Sequence, residues 1–252
     1  MNKLSLFTVL IVSSITACTP LPGSRQKENS LDNYTLQIDY QNAVIDAVIP
    51  DKSKIYSGLM QIKAPASNSE QEWITVDGKN MVLVTSLIND EYLKYWMKDE
   101  PFEIQVDSWV SIPSEWNLFK KEFIQHNDTQ NMIRMQQLVG LPYDKHYSVM
   151  IEFYADAEKI FRPSKDPEAS DNVAELEYPA GTNKEYREWF ENLKVQSYQG
   201  SPAYPFSQLG YSYDWNRNSK THVGVSEFIV PKGTLVKVKS RKDYKEFIKD
   251  IQ

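Results

Sequence analysis

Met81-Val82-Leu83-Val84-Thr85-Ser86-Leu87-Ile88 is the stretch that decides the fold. Its apolar side chains fall on both parities, so as an extended chain it needs cover on both faces, as a central strand does. Further along, Phe102, Ile104 and Val106 alternate with Glu103, Gln105 and Asp107, the pattern of a half-exposed strand. In Tyr147–Ala155, Val149, Ile151 and Phe153 share one face while Met150 and Tyr154 share the other, which predicts a second well-covered strand. Strand signals begin upstream at Trp73.

Helices are predicted around these strands. Asp128 is placed to cap a helix over 129–139, with Met132, Met135 and Val139 on one face and Gly140 as its stop. Thr182-x-x-Glu185 fits a capping box. Tyr186, Trp189, Phe190 and Leu193 then recur at helical spacing, which predicts a helix over 184–198 with Trp189 buried. A shorter helix is expected over 40–48. Another opens at Ser240, with Tyr244, Phe247, Ile248 and Ile251 in register. Phe228–Val230 and Leu235–Val238 flank Pro231-Lys232-Gly233-Thr234, which reads as a late hairpin. Strands and helices without strict alternation give α+β, with a mixed or antiparallel sheet and several packed helices. With no internal repeat and no second linker, residues 34–252 form one compact domain.

Composition excludes several classes. The formal net charge is −6, which argues against nucleic acid and anionic headgroups as partners. The three histidines, His126, His146 and His222, have no metal-ligand spacing, and HExxH and CxxC are absent, so no metal and no cofactor is expected. Neither a GxSxG elbow nor a P-loop or GxGxxG is present. Residues 161–178 carry five carboxylates, Asp166, Glu168, Asp171, Glu175 and Glu177. A calcium ion wants such oxygens, but the glycine and ligand order of an EF-hand are missing, and a solvated loop in which Arg162 pairs with one acid is the simpler reading.

With 15 Tyr, 10 Phe and 6 Trp, the chain has rings to spare for a binding surface. Tyr211, Tyr213 and Trp215 cluster beside Asp214, and Glu227 follows downstream. Two acids near an aromatic surface suit a cleft that stacks a sugar or peptide, with Glu227 and Asp214 as acids and Arg162 as the cation for Glu227. A hairpin packed by its own aromatics is the competing reading.

The chain opens MNKLSLFTVLIVSSITAC. Lys3 gives a positive start, and the apolar run from Leu4 is too short for a permanent span, which takes ~20 residues, but suits a signal segment. Ile15-Thr16-Ala17-Cys18 resembles the lipobox of bacterial lipoproteins. The resemblance implies a signal peptide over 1–17, cleavage before Cys18, and diacylglycerol on its thiol. It also implies a lipid anchor in the cell envelope, at the outer membrane of a Gram-negative source because Thr19 rather than aspartate follows. Cys18 is the only cysteine, so the domain has no thiol to mispair in an oxidising compartment. Residues 18–33 are polar with two prolines and a glycine, and are expected to be a flexible tether of about 20 Å r.m.s. reach.

The blocks Gln137–Pro142, Phe161-Arg162-Pro163, Tyr213-Asp214-Trp215 and Ser226-Glu227-Phe228 resemble a family of uncharacterised secreted bacterial proteins, a likeness that carries no activity with it. A looser similarity is to ADP-ribosyltransferases, whose catalytic glutamate often precedes a Pro-x-Gly-Thr hairpin, as Glu227 precedes Pro231–Thr234. Their early-strand arginine and Ser-x-Ser strand find no match here. The expectation is a membrane-anchored envelope lipoprotein whose domain binds a protein or cell-wall component. The alternative is an envelope enzyme acting on glycan or protein through Glu227 and Asp214.

Cys18→Ser should abolish acylation and leave an uncleaved or mislocalised precursor, checked by metabolic labelling with a clickable palmitate. Label retained by the variant would refute the anchor.

Overall fold

The computed structural model describes residues 32–63, 70–123 and 127–251. Among these, the elements run α1 (Asn33–Ala47), β1 (Trp73–Val76), β2 (Lys79–Asn89), β3 (Phe102–Glu103), β4 (Ser108–Val110), α2 (Lys120–Phe123), α3 (Asp128–Leu138), β5 (Tyr147–Asp156), α4 (Lys184–Gln199), β6 (Tyr211–Tyr213), β7 (Val223–Ser226), β8 (Phe228–Val230), β9 (Leu235–Asp243) and α5 (Tyr244–Asp250). No helix among the described residues is long and apolar enough to cross a membrane. Cys18 and residues 1–31 lie outside the described residues, as does His126.

The class is α+β, built on an antiparallel five-stranded sheet in the order β1-β2-β5-β9-β3. The two strands expected to be doubly covered form its middle. Val84 faces Phe153 and Leu87 faces Met150 across the ladder. One face carries Val82, Val84, Ile151, Phe153 and Val236, packed against Trp96, Ile112, Phe228 and Val230. The opposite face carries Leu87 and Met150, covered by α3 and α5 through Met135, Leu138, Phe247 and Ile248. Burial on both sides is what the unbroken apolar run required.

Two small ribbons complete the fold, β4 with β8 and β6 with β7. This overturns the expected hairpin. The turn at 231–234 exists, closed by Thr234 N–H to the Pro231 carbonyl at 3.1 Å, but its two arms join different sheets. β8 pairs with β4 through Ile229 and Trp109, while β9 enters the main sheet between β5 and β3. The helix expected from Ser240 starts only at Tyr244, capped by Asp243, because Ser240–Asp243 are still paired with β5. The strand expected over 102–106 shrinks to Phe102–Glu103.

The helices keep their places with different caps. In α3 the cap is Asn127, which forms a capping box with Gln130. In α4 the cap is Asn183, whose side chain accepts from Tyr186 N–H at 2.6 Å, in place of the Thr182–Glu185 box. The folded unit begins at Asp32, which caps α1. α1 starts well before the expected residue 40, because Leu36, Tyr40, Ala43 and Ala47 together seal one core cluster.

The tightest approach is at Gly224, where a Cβ would lie 2.1 Å from the Leu138 carbonyl oxygen. Only a glycine lets β7 run against the end of α3.

The burial of α4 centres on Phe190, which is fully covered and sits 5.8 Å from the Phe206 ring. Trp189 is half-buried, edge-on to Phe161, and not the buried anchor that the spacing predicted. Phe190→Ala should therefore cost ~3–5 kcal/mol, and Trp189→Ala clearly less, in denaturant unfolding. Equal losses would contradict this placement.

Candidate functional site

The main cavity has a volume of about 940 Å³. Its walls come from the end of β2, the 3₁₀ turn Asp90–Trp96, the 102–109 segment, residues 139–141, the C-terminal half of α4 and Tyr204–Phe206, together with Tyr147 and Glu227. The walls are mainly apolar and rich in rings, among them Tyr95, Trp96, Phe102, Trp109, Tyr147 and Phe206. Tyr92 and Tyr95 stack at 6.5 Å and are more than half exposed. Lys94 lies over the Tyr95 ring and Lys98 over the Phe102 ring.

Glu227 belongs to this cavity. Its position follows from the chain path. β7 ends at Ser226 and β8 begins at Phe228, so Glu227 is the link at which the backbone leaves one ribbon and joins another. Its N–H donates to the Gly210 carbonyl at 2.9 Å. One carboxyl oxygen is fully covered and has no hydrogen-bond partner. Burial alone pushes the carboxyl up to about 8, since no cation or donor offsets the loss of water.

The other expected site residues go elsewhere. Arg162 is fully buried, but it does not serve Glu227. It donates to the carbonyls of Glu168 at 3.1 Å, Met60 at 3.1 Å and Asp171 at 2.9 Å, and more distantly to Gly210 at 3.4 Å. Its guanidinium also lies 5.0 Å from the Phe228 ring. Asp214 is buried in a two-pronged pair with Arg134, at 2.7 and 2.8 Å, and Arg134 also meets Glu122. The structure thus joins Asp214 to Arg134 and Arg162 to backbone carbonyls, leaving Glu227 without either.

The aromatic surface expected from Tyr211, Tyr213 and Trp215 is corrected outright, because all three are buried. Trp215 packs edge-on to Tyr40 at 5.5 Å and donates to the Leu141 carbonyl at 2.9 Å. The Tyr213 hydroxyl donates to Asp46 at 2.8 Å, and the Tyr211 hydroxyl to the Lys54 carbonyl at 2.9 Å. Each ring is core, with only its polar tip near the surface.

Three acids of the 161–178 segment, Asp166, Asp171 and Glu175, converge within 4.8 Å. Arg162 stands 3.8 Å from Asp171, so the trio already faces a cation. Burial is the main cause that raises both Asp171 and Glu175, and the hydrogen bond that protonated Glu175 donates to Asp166 raises Glu175 further. Elsewhere, buried Glu115 is held by Ser226, through its N–H at 2.8 Å and its hydroxyl at 2.7 Å, and burial pushes it up to about 7. His146 reaches Asp90 at 3.5 Å, and His222 lies against the Asp214 carbonyl at 2.8 Å.

The cavity walls escaped the sequence reading. Their signal is the density of rings over 92–109, Tyr92, Tyr95, Trp96, Phe102 and Trp109, in a segment whose period is broken by a 3₁₀ turn.

The raised carboxyl fixes a pH dependence. Between pH 4.5 and about 8, folded protein holds a proton on Glu227 that the unfolded chain has released, so this residue's contribution to stability falls as pH rises through that window. Glu227→Gln is neutral throughout. Its unfolding free energy should match the parent near pH 4 and exceed it increasingly up to pH 8, by about a few kcal/mol at the top. Glu115 titrates in both proteins and cancels. A difference that stays constant with pH would show that Glu227 ionises normally.

No protein-family model, curated protein or solved structure matches the chain, so the reading of this site rests on its geometry.

Proposed function

We propose that this chain is a cell-envelope lipoprotein, anchored through Cys18, whose α+β domain is a binding module that takes a small amphipathic ligand into the Glu227 cleft. The observation that carries the reading is the combination of a large ring-lined cavity with a single unpartnered carboxyl in its wall. Ligand sites of soluble domains have this make-up, with apolar walls for affinity and a few fixed polar groups for orientation. The enzyme alternative puts Glu227 and Asp214 to work as a pair, and the Arg134 clamp on Asp214 removes its support for that pairing.

The cleft reading is tested on the full chain carrying Cys18→Ser, so that no acyl chain competes for an apolar dye. N-phenyl-1-naphthylamine should bind with enhanced, blue-shifted fluorescence. Leu193 lines the cleft from α4 at a half-buried position. Leu193→Trp fills the space and should weaken dye binding by roughly tenfold or more, with the thermal midpoint nearly unchanged. No dye binding, or equal binding by the variant, would sink the cleft as a ligand site.

A further inference from the structure

We infer that the ligand of this cleft is a hydrophobic amine, a molecule with an apolar or aromatic body that presents a basic nitrogen to Glu227. The inference rests on the cleft being a binding site, and goes further in naming the chemistry at its inner wall.

The argument is one of unmet valence. A covered carboxyl oxygen without a donor is costly, and a buried carboxylate without a cation more so. Several donors and cations of this region are committed elsewhere. Arg162 is bonded to carbonyls. On α4, the Tyr198 hydroxyl is shared with the carbonyls of Ala47 at 3.0 Å and Phe206 at 2.6 Å. Tyr147 is hydrogen-bonded to Tyr204. Lys94 and Lys98 lie over their own rings, and among the described residues no ion pair involves Glu227. The remaining acids of the cavity, Glu103 and Asp107, are exposed, and Asp107 accepts from Lys232 N–H at 2.8 Å.

A ligand entering the cavity can supply the donor, and the donor that also restores the charge is an ammonium. The ring-lined walls suit it twice over. They take the apolar body, and their faces attract a cation. A carboxylate ligand would meet no free cation at Glu227, and an alcohol would supply a hydrogen bond without the charge.

The step balances by release of a proton. Below pH 8, Glu227 holds a proton and the amine arrives as its ammonium ion. Forming the carboxylate–ammonium pair sends the Glu227 proton to solvent, and binding therefore tightens as pH rises toward 8. Burial raises the Tyr147 hydroxyl, so it keeps its proton there, and the proton released is that of Glu227.

The test uses the full chain carrying Cys18→Ser and displacement of N-phenyl-1-naphthylamine at pH 7 by octylamine, octanol and octanoate. Octylamine should displace the dye at a concentration roughly tenfold below the other two. Glu227→Gln should bring octylamine down to the level of octanol. Calorimetry in two buffers of different ionisation enthalpy should find about one proton released per octylamine bound by the parent and none by Glu227→Gln. Equal displacement by octylamine and octanol, or a preference that survives Glu227→Gln, would overturn the inference while leaving the cleft as a binding site. Octanoate as the best competitor would overturn it in favour of an anionic headgroup at Lys94 and Lys98. Failure of the dye to bind at all would remove the binding reading itself.

Discussion

The arrangement around the cleft depends on one buried guanidinium. Arg162 is wholly inside the protein, with no carboxylate at hydrogen-bond distance to neutralise it. Backbone carbonyls do that work, drawn from Met60, Glu168, Asp171 and Gly210. A buried charge of this kind is tolerable only when its donors are satisfied. The consequence is that three loops far apart in sequence are pinned to one plane. Gly210 shows how tightly, since at φ 73° a Cβ there would lie 2.5 Å from the Arg162 Cδ. The same Gly210 carbonyl receives the Glu227 amide, so the guanidinium that does not neutralise Glu227 nonetheless holds its backbone in place.

Three acids, Asp214 and Glu115 buried and Glu227 with one oxygen covered, show three ways of settling a charge. Asp214 is ionically paired with Arg134 on α3. Glu115 is hydrogen-bonded by Ser226, one residue away from Glu227 in the chain. Glu227 has neither device, although a hydroxyl and a guanidinium stand close by. Both are already engaged, and the contrast marks Glu227 as the group whose partner is external.

What was legible in the sequence was what a strong period can carry. β2 and β5 were readable because both parities of each are apolar, and α3 and α4 because their apolar residues recur every third or fourth position. Three things were not. Tyr211, Tyr213 and Trp215 read as a surface because nothing local announces that α1 will cover Tyr213 and Trp215, or that Leu59, Ala174 and Leu209 will enclose Tyr211. The end of β9 read as a helix because Tyr244, Phe247 and Ile248 carry a helical period that says nothing about where the strand before it ends. Glu227 resisted a parity argument because parity presumes one sheet. Val225 is buried in the ribbon with β6, and Ile229 in the ribbon with β4, so their common parity reports two different environments.

The placement of β9 also governs when the protein can close. β3 reaches the sheet only through β9, which lies between it and β5. β8, the sole partner of β4, likewise comes from the C-terminal part of the chain. The N-terminal half therefore makes β1, β2 and little else of the sheet on its own. Its apolar faces wait on β5 and β9, and the β3–β9 and β4–β8 pairings close loops of more than a hundred residues, which is slow because loop closure comes before its reward. During synthesis, the five-stranded sheet stays incomplete until its final strand has emerged. For the exported lipoprotein proposed above, that delay keeps the chain in a form that a translocation channel can thread.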